Sequence, residues 1–280
     1  MNATLEEGPE PAYAAFFGCI LAVGLPLNAV SLWILLRHHS LKSPSAVYMV
    51  NLAISDLLLA ISLPLRVYFY AMGTWPLSTL ACHSVSMLFR NNIRSSALFI
   101  TIISVDRLLA VVYPLRSRHL RTSSNAWKAA ALIWLFVIVT NVPESVKYFI
   151  YLNNTNESSC FKGERNSKSI MIYLQLALVL SMLAVNIVCT ALVSWTLNRH
   201  LNDSTRINNK VNVMLIFVMS LVMFIVCFLP LCVGLLVKTT SEEIIPLVCL
   251  TSVNCCLDPL LYYFSFDAFW KKKDNADLPG

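Results

Sequence analysis

Five ionisable side chains stand where a run of apolar residues should hold none. Arg66, Arg90 and Arg94 lie within long stretches of aliphatic and aromatic residues, as do Asp56 and Asp258. A charge at bilayer depth is costly and marks a functional position by default. The guanidinium is a planar fork of donors that matches carboxylate and phosphate oxygens, so the arginines point to an anionic ligand. Arg90 and Arg94 are four residues apart and share a helical face. At about 1.5 Å per residue they lie roughly 12 and 18 Å below Cys82, too deep to reach water easily. Glu144 is the one acidic residue at comparable depth in the other spans. Two readings follow: the three arginines await an anion, or one of them pairs with Glu144 or with helix carbonyls. The first is preferred for the group. Tyr70, Lys147 and Lys238 complete the candidate ligand-binding set, the lysines standing at span ends where such side chains commonly reach back to the interface.

Asp56 falls mid-span and Asp258 low in the last span, with Asn28, Asn92, Ser96 and Asn254 near them at helical spacing. Carboxylates ringed by hydroxyl and amide oxygens suit a small hard cation such as Na⁺, or a water-filled polar network. Both readings require an inward-facing cluster. No other metal or cofactor is expected: the nine cysteines form no CxxC pair and no histidine stands at ligand spacing. No serine–histidine pair, paired aspartates or HExxH lies in a span, so the chain does not read as an enzyme.

The elements that must position these groups follow from composition. The chain is 57% hydrophobic and 13% charged, against about 25% charged in soluble domains. A bilayer core of about 30 Å takes roughly 20 apolar residues as helix, and seven stretches qualify: 12–37, 45–71, 79–112, 126–148, 168–198, 210–238 and 243–265. The expected architecture is all-α: a seven-transmembrane bundle over 12–265, an extracellular amino terminus over 1–11, and a short amphipathic helix with a brief cytoplasmic tail over 266–280. The acidic start lacks the features of a signal peptide. Pro26, Pro64, Pro143, Pro230 and Pro259 are expected to kink their helices. No repeat supports an inverted-repeat transporter, and the spans are too apolar for a conducting path.

Basic residues (Arg37, Lys42, Arg116, Arg118, Arg121, Lys128, Arg199, Arg206, Lys210 and Lys271 to Lys273) gather in the connections of one face, which should be cytoplasmic. The glycosylation sequons at Asn2, Asn153 and Asn156 fall on the other face, placing the amino terminus outside and the carboxyl terminus inside. Cys82 and Cys160 both lie on that oxidising face, and a disulfide between them would pin the connection between spans four and five over the bundle.

At the cytoplasmic end of span three stands Ser104-Val-Asp106-Arg107-Leu108, followed by Val111-Val-Tyr113-Pro114-Leu115. Gly24-Leu-Pro-Leu-Asn28, Asn51-Leu-Ala-Ile-Ser-Asp56, Trp134, Phe224-Ile-Val-Cys227-Phe228-Leu-Pro230 and Asp258-Pro259-Leu-Leu-Tyr262 occur in order on successive spans. In this the chain resembles the rhodopsin-like (class A) G-protein-coupled receptors across nearly its whole length. The resemblance implies roles. Asp106 restrains Arg107 at rest, and Arg107 meets the G protein's C-terminal helix on activation. Leu115 inserts into the G protein. Phe224 and Phe228 relay ligand contact to a swing of span six about Pro230, and Tyr262 rotates inward. Leu108, Phe228, Asp258 and Met182 depart from the family's usual tyrosine, tryptophan, asparagine and proline.

Within that family, span seven has no lysine to carry retinal, and Phe89 replaces the aspartate of amine receptors. Ser62-Leu-Pro-Leu-Arg66-Val-Tyr68, Trp75-Pro76 and Asn254-Cys-Cys-Leu-Asp-Pro are similar to the purinergic-like branch, and most to its lysophosphatidic acid receptors, the sixth subtype in particular. Arg66 sits at a matching motif position; Arg90 and Arg94 stand where aromatic residues are usual. The resemblance implies a plasma-membrane receptor for an anionic lysophospholipid, with membrane lipids and a heterotrimeric G protein of the twelve/thirteen or inhibitory type as partners and no nucleic acid. The lipid would enter sideways between helices four and five. The alternative is a nucleotide receptor, but Leu231, Cys232 and Val233 lack the histidine that such receptors usually carry after the span-six proline.

Overall fold

The computed structural model describes residues 9–38, 41, 43–154, 160–161, 170–200, 207–237 and 241–263. Five uninterrupted helices come first: α1 (Pro11–His38), α2 (Pro44–Met72), α3 (Thr79–Val112), α4 (Ser123–Asn154) and α5 (Ile170–His200). The sixth crossing is α6 (Ile207–Val222), a π-helical turn (Met223–Phe228) and α7 (Leu229–Leu236). The seventh begins with α8 (Ser241–Ser252) and continues past a turn at Val253 to Tyr263. Seven helices are thus long and apolar enough to cross a membrane, and the chain is a seven-helix membrane bundle. The expected amphipathic segment after span seven, Lys238, and the side chains of Asn2, Asn153 and Asn156 lie outside the described residues.

Helices are the solution because lipid offers no partner to backbone N–H and C=O groups. Pro26, Pro64 and Pro143 sit inside continuous helices. At Pro230 the register widens instead: the backbone N–H of Leu229 reaches Phe224 O, a five-residue step, just before the proline. The carbonyl of Cys227, in that widened turn, accepts the Thr251 hydroxyl from α8 at 2.7 Å.

Faces are sorted by polarity in the reverse sense to a soluble protein. α4 turns Leu132, Leu135, Phe136, Val139 and Val142 outward, while Asn28, Asn51, Asp56, Asn92, Asn141, Asn186, Asn254 and Asp258 are all buried. Lipid is as apolar as leucine, so polar atoms gain by turning to one another. Those atoms tie the helices. Asn28 donates from α1 to the Cys255 carbonyl of the seventh span at 2.7 Å, and the Trp134 indole N–H of α4 reaches Asn51 Oδ1 of α2 at 2.9 Å. α3 runs through the middle, against α2, α4, α5 and the sixth span.

One end of the bundle is capped by covalent and local bonds. Gly73 adopts φ 72° and its N–H returns to Phe69 O, closing α2 in the left-handed turn that glycine takes without a Cβ clash. Ser78 caps α3, its side chain accepting from the Ala81 N–H. One turn later Cys82 is bonded to Cys160, their Cα atoms 5.9 Å apart, which holds Cys160 against the start of α3. This end is called the disulfide end below.

Candidate functional site

Near the disulfide end α2 presents Arg66 to the bundle interior, only 5% exposed. Its guanidinium carbon lies 4.1 Å from the Phe89 ring centroid, 4.3 Å from that of Phe161 and 5.9 Å from that of Phe17. Arg66 Nε has no hydrogen-bond partner, and among the described residues no carboxylate lies within 4.0 Å of the group. Tyr70, one turn on, stacks on Phe17 at 5.5 Å and meets Tyr13 edge-on at 5.8 Å. Arg66 is therefore a desolvated cation held by ring faces rather than by an anion.

Arg90 lies over the Tyr148 ring at 5.0 Å, with one terminal nitrogen 3.8 Å from Met87 Sδ and its Nε unpartnered. Tyr148 joins three elements: its hydroxyl oxygen accepts from the Phe161 N–H at 3.3 Å and from Ser86 Oγ at 3.4 Å.

Arg94 takes the second of the two readings, the pairing of one arginine with Glu144. Nη2 donates to Glu144 Oε1 at 2.7 Å, Nε to Gln175 Oε1 at 2.8 Å, and Nη1 to Asn141 Oδ1. Asn141 in turn donates to Asn91 and to the Val137 carbonyl. Arg94 thus ties α3 to α4 and α5 as a closed ion pair, with side chains 8% and 24% exposed for Arg94 and Glu144. Lys147 is exposed on α4.

Midway down, Asn92 Nδ2 donates to Asp56 Oδ1 at 2.9 Å and lies 3.2 Å from Ser96 Oγ and Ser55 Oγ. Ser96 Oγ donates to the same Asp56 oxygen at 3.4 Å. Asp56 Oδ2, both Asp258 carboxylate oxygens and the Asn254 amide atoms have no protein partner, although all are buried. Hard oxygen donors left over on two carboxylates fit a monovalent cation or a shared proton.

At the other end Asp106 is held by Arg121, whose Nε reaches Oδ1 at 2.8 Å and whose Nη2 reaches Oδ2 at 3.2 Å. Ser45 Oγ donates to the same carboxylate. Arg107 is half-buried beside it on α3. Ser117, bonded to the Leu109 carbonyl at 3.1 Å, folds the connection so that Leu115 projects, 88% exposed. Phe224 and Phe228 are buried in tilted contact at 5.4 Å within the π turn, with Pro230 following and Tyr262 buried in the seventh span.

No motif in the sequence marks Phe161, Tyr148, Asn141, Gln175, Arg121 as an ion-pair partner, or Thr251. Some signals existed. Asn141, Glu144 and Tyr148 recur at helical spacing, a polar stripe in an otherwise apolar span, and Phe161 adjoins a bridged cysteine.

A seven-helix bundle with these motifs on its inner faces defines a class of membrane protein. Residues 27–262 match the family of 7 transmembrane receptors of the rhodopsin type, and the chain belongs to that family. It is a G-protein-coupled receptor, not an enzyme. Among particular relatives it is 32% identical to chicken (Gallus gallus) lysophosphatidic acid receptor 6, covering 91% of this chain and 90% of that one. It is 36% identical to bovine (Bos taurus) lysophosphatidic acid receptor 5, covering 90% and 75%, and 31% identical to human lysophosphatidic acid receptor 4, covering 92% and 75%.

Proposed function

We propose that the chain is a plasma-membrane receptor for lysophosphatidic acid. Its disulfide end and amino terminus face outward, and the Asp106 end meets a G protein of the twelve/thirteen or inhibitory type. The observation that carries the reading is Arg66: buried, with no carboxylate beside it among the described residues, and ringed by aromatic side chains. Keeping a full charge out of water without a counter-ion is costly, and a phosphate monoester would offset that cost. Arg90 lies on the same side, over Tyr148, as a second donor. The acyl chain would lie along apolar helix faces, each buried CH₂ contributing about 0.8 kcal/mol. Asp56, Asn92, Ser96, Asn254 and Asp258 would hold Na⁺ and bias the resting state. Arg107 and the projecting Leu115 would contact the G protein once span six swings at Pro230.

Arg66→Ala is expected to abolish the response to lysophosphatidic acid in a cell-based G-protein assay while surface expression holds. An unchanged dose response would remove the assignment. Competition of labelled lysolipid against ADP and UDP separates the lipid reading from a nucleotide one: displacement by micromolar nucleotide would favour the latter.

A further inference from the structure

Phe161 is the one non-glycine residue with positive φ among the described residues, at 65°, a conformation disfavoured for a bulky L side chain. Several contacts hold it there. Cys160 before it is buried and bonded to Cys82 of α3, and its own N–H donates to Tyr148 Oη at 3.3 Å. The ring meets Phe69 edge-on at 5.2 Å and Trp75 edge-on at 5.5 Å, and lies 4.3 Å from the Arg66 guanidinium carbon. Phe89, from α3, lies 4.1 Å from that same carbon. A disfavoured backbone is therefore sustained by surroundings that deliver one aromatic ring to one cation.

We propose that Phe161 is a positioning residue of the anion site: with Phe89 it clamps Arg66 so that the guanidinium is open only along its N–H edges. The clamp selects a compact phosphate monoester over a ligand that must stack a planar ring on the cation. This rests on the lysophospholipid reading of the same site. A planar group stacking on the cation would have to compete with two rings whose centroids already lie 4.1 and 4.3 Å from the guanidinium carbon. An anion meeting the N–H fork in plane keeps both ring contacts and gains bidentate hydrogen bonds. Because the fork is already oriented, less side-chain freedom is lost on binding.

The test uses the full-length receptor in lipid nanodiscs, with 1-oleoyl lysophosphatidic acid and ADP as probes. A cation–π contact at a dry site corresponds to roughly three- to thirty-fold in affinity. Phe161→Leu is expected to weaken lysophosphatidic acid binding by about that factor and to narrow its preference over ADP. Phe161→Trp should stay within about threefold of the parent for lysophosphatidic acid. If Phe161→Leu binds as the parent does while Arg66→Ala does not bind, the clamp is wrong and the anion site stands. Equal losses in Phe161→Leu and Phe161→Trp mean the residue only supports the fold there, which also overturns the clamp. Parent-like binding by Arg66→Ala removes the anion site and the clamp together.

Discussion

Arg66 and Arg94 carry the same charge on adjacent helices, each under one-tenth exposed, yet their surroundings are opposite. Arg94 is closed: carboxylate, two side-chain amides and three helices meet at one guanidinium. Arg66 is open: rings surround it, and its Nε has no partner. A buried guanidinium is thus no functional signal by itself. What distinguishes a strut from a binding group is whether the protein supplies the counter-charge. The strut belongs to the fold's stability and the open cation to recognition, and the variants below separate those two accounts.

The largest effect is expected where the closed site is opened. Glu144→Ala strands Arg94 inside the bundle, and breaking such a pair costs about 3 kcal/mol. It should show as a clear fall in the thermal unfolding midpoint of the ligand-free receptor in detergent. The double variant Arg94→Met with Glu144→Met should recover most of that loss, because replacing both partners by apolar groups leaves no orphaned charge. If Glu144→Ala is as stable as the parent, the pair is not a strut and Arg94 returns to the ligand-binding candidates.

A smaller change sharpens the same contrast. Gln175→Leu removes the acceptor for Arg94 Nε, a 2.8 Å bond from α3 to α5, while the Glu144 contact remains. Hydrogen bonds to charged groups contribute more than neutral ones, but those between membrane helices average below 1 kcal/mol, so a loss of about 1 kcal/mol is expected. The same midpoint measurement decides it. A loss as large as that of Glu144→Ala would mean that the amide, not the carboxylate, carries the strut.

Which arginine was which could not be read from the sequence. Helical spacing put Arg90 and Arg94 on one face of α3, and Glu144 stood out as the one acid at comparable depth. Whether that acid met Arg90, Arg94 or neither depended on the rotation and height of α4 beside α3, to which neither apolar spacing nor charge is sensitive. The span count and the Cys82–Cys160 bond were legible because hydropathy and topology dictate them. The inward direction of Asp56, Asn92, Asn254 and Asp258 was legible for a similar reason: lipid rejects them. Phe161 stayed hidden because its connection has no periodicity, and its backbone angle is set by contacts distant in sequence. Arg121 was read only as one of many cytoplasmic charges, since sequence distance gives no hint that it reaches Asp106.

The smallest expected effect tests the open half of the comparison most directly. Arg66→Met keeps much of the side chain's length and volume and removes the charge. If Arg66 had a protein counter-ion, this change would orphan a carboxylate and cost several kcal/mol, as opening the Arg94 pair does. With rings as its neighbours, the methionine thioether instead packs against Phe89 and Phe161 and forms sulfur–aromatic contacts in place of cation–π ones. The ligand-free receptor should then lose less than about 1 kcal/mol, or gain stability, because an uncompensated charge has left a desolvated site. The parent should gain stability when lysophosphatidic acid is added, by mass action on the folded state, and Arg66→Met should not. A receptor stable without Arg66 but no longer stabilised by the lipid identifies the cation as kept for the ligand. A receptor that unfolds without it places Arg66 beside Arg94 as a second strut.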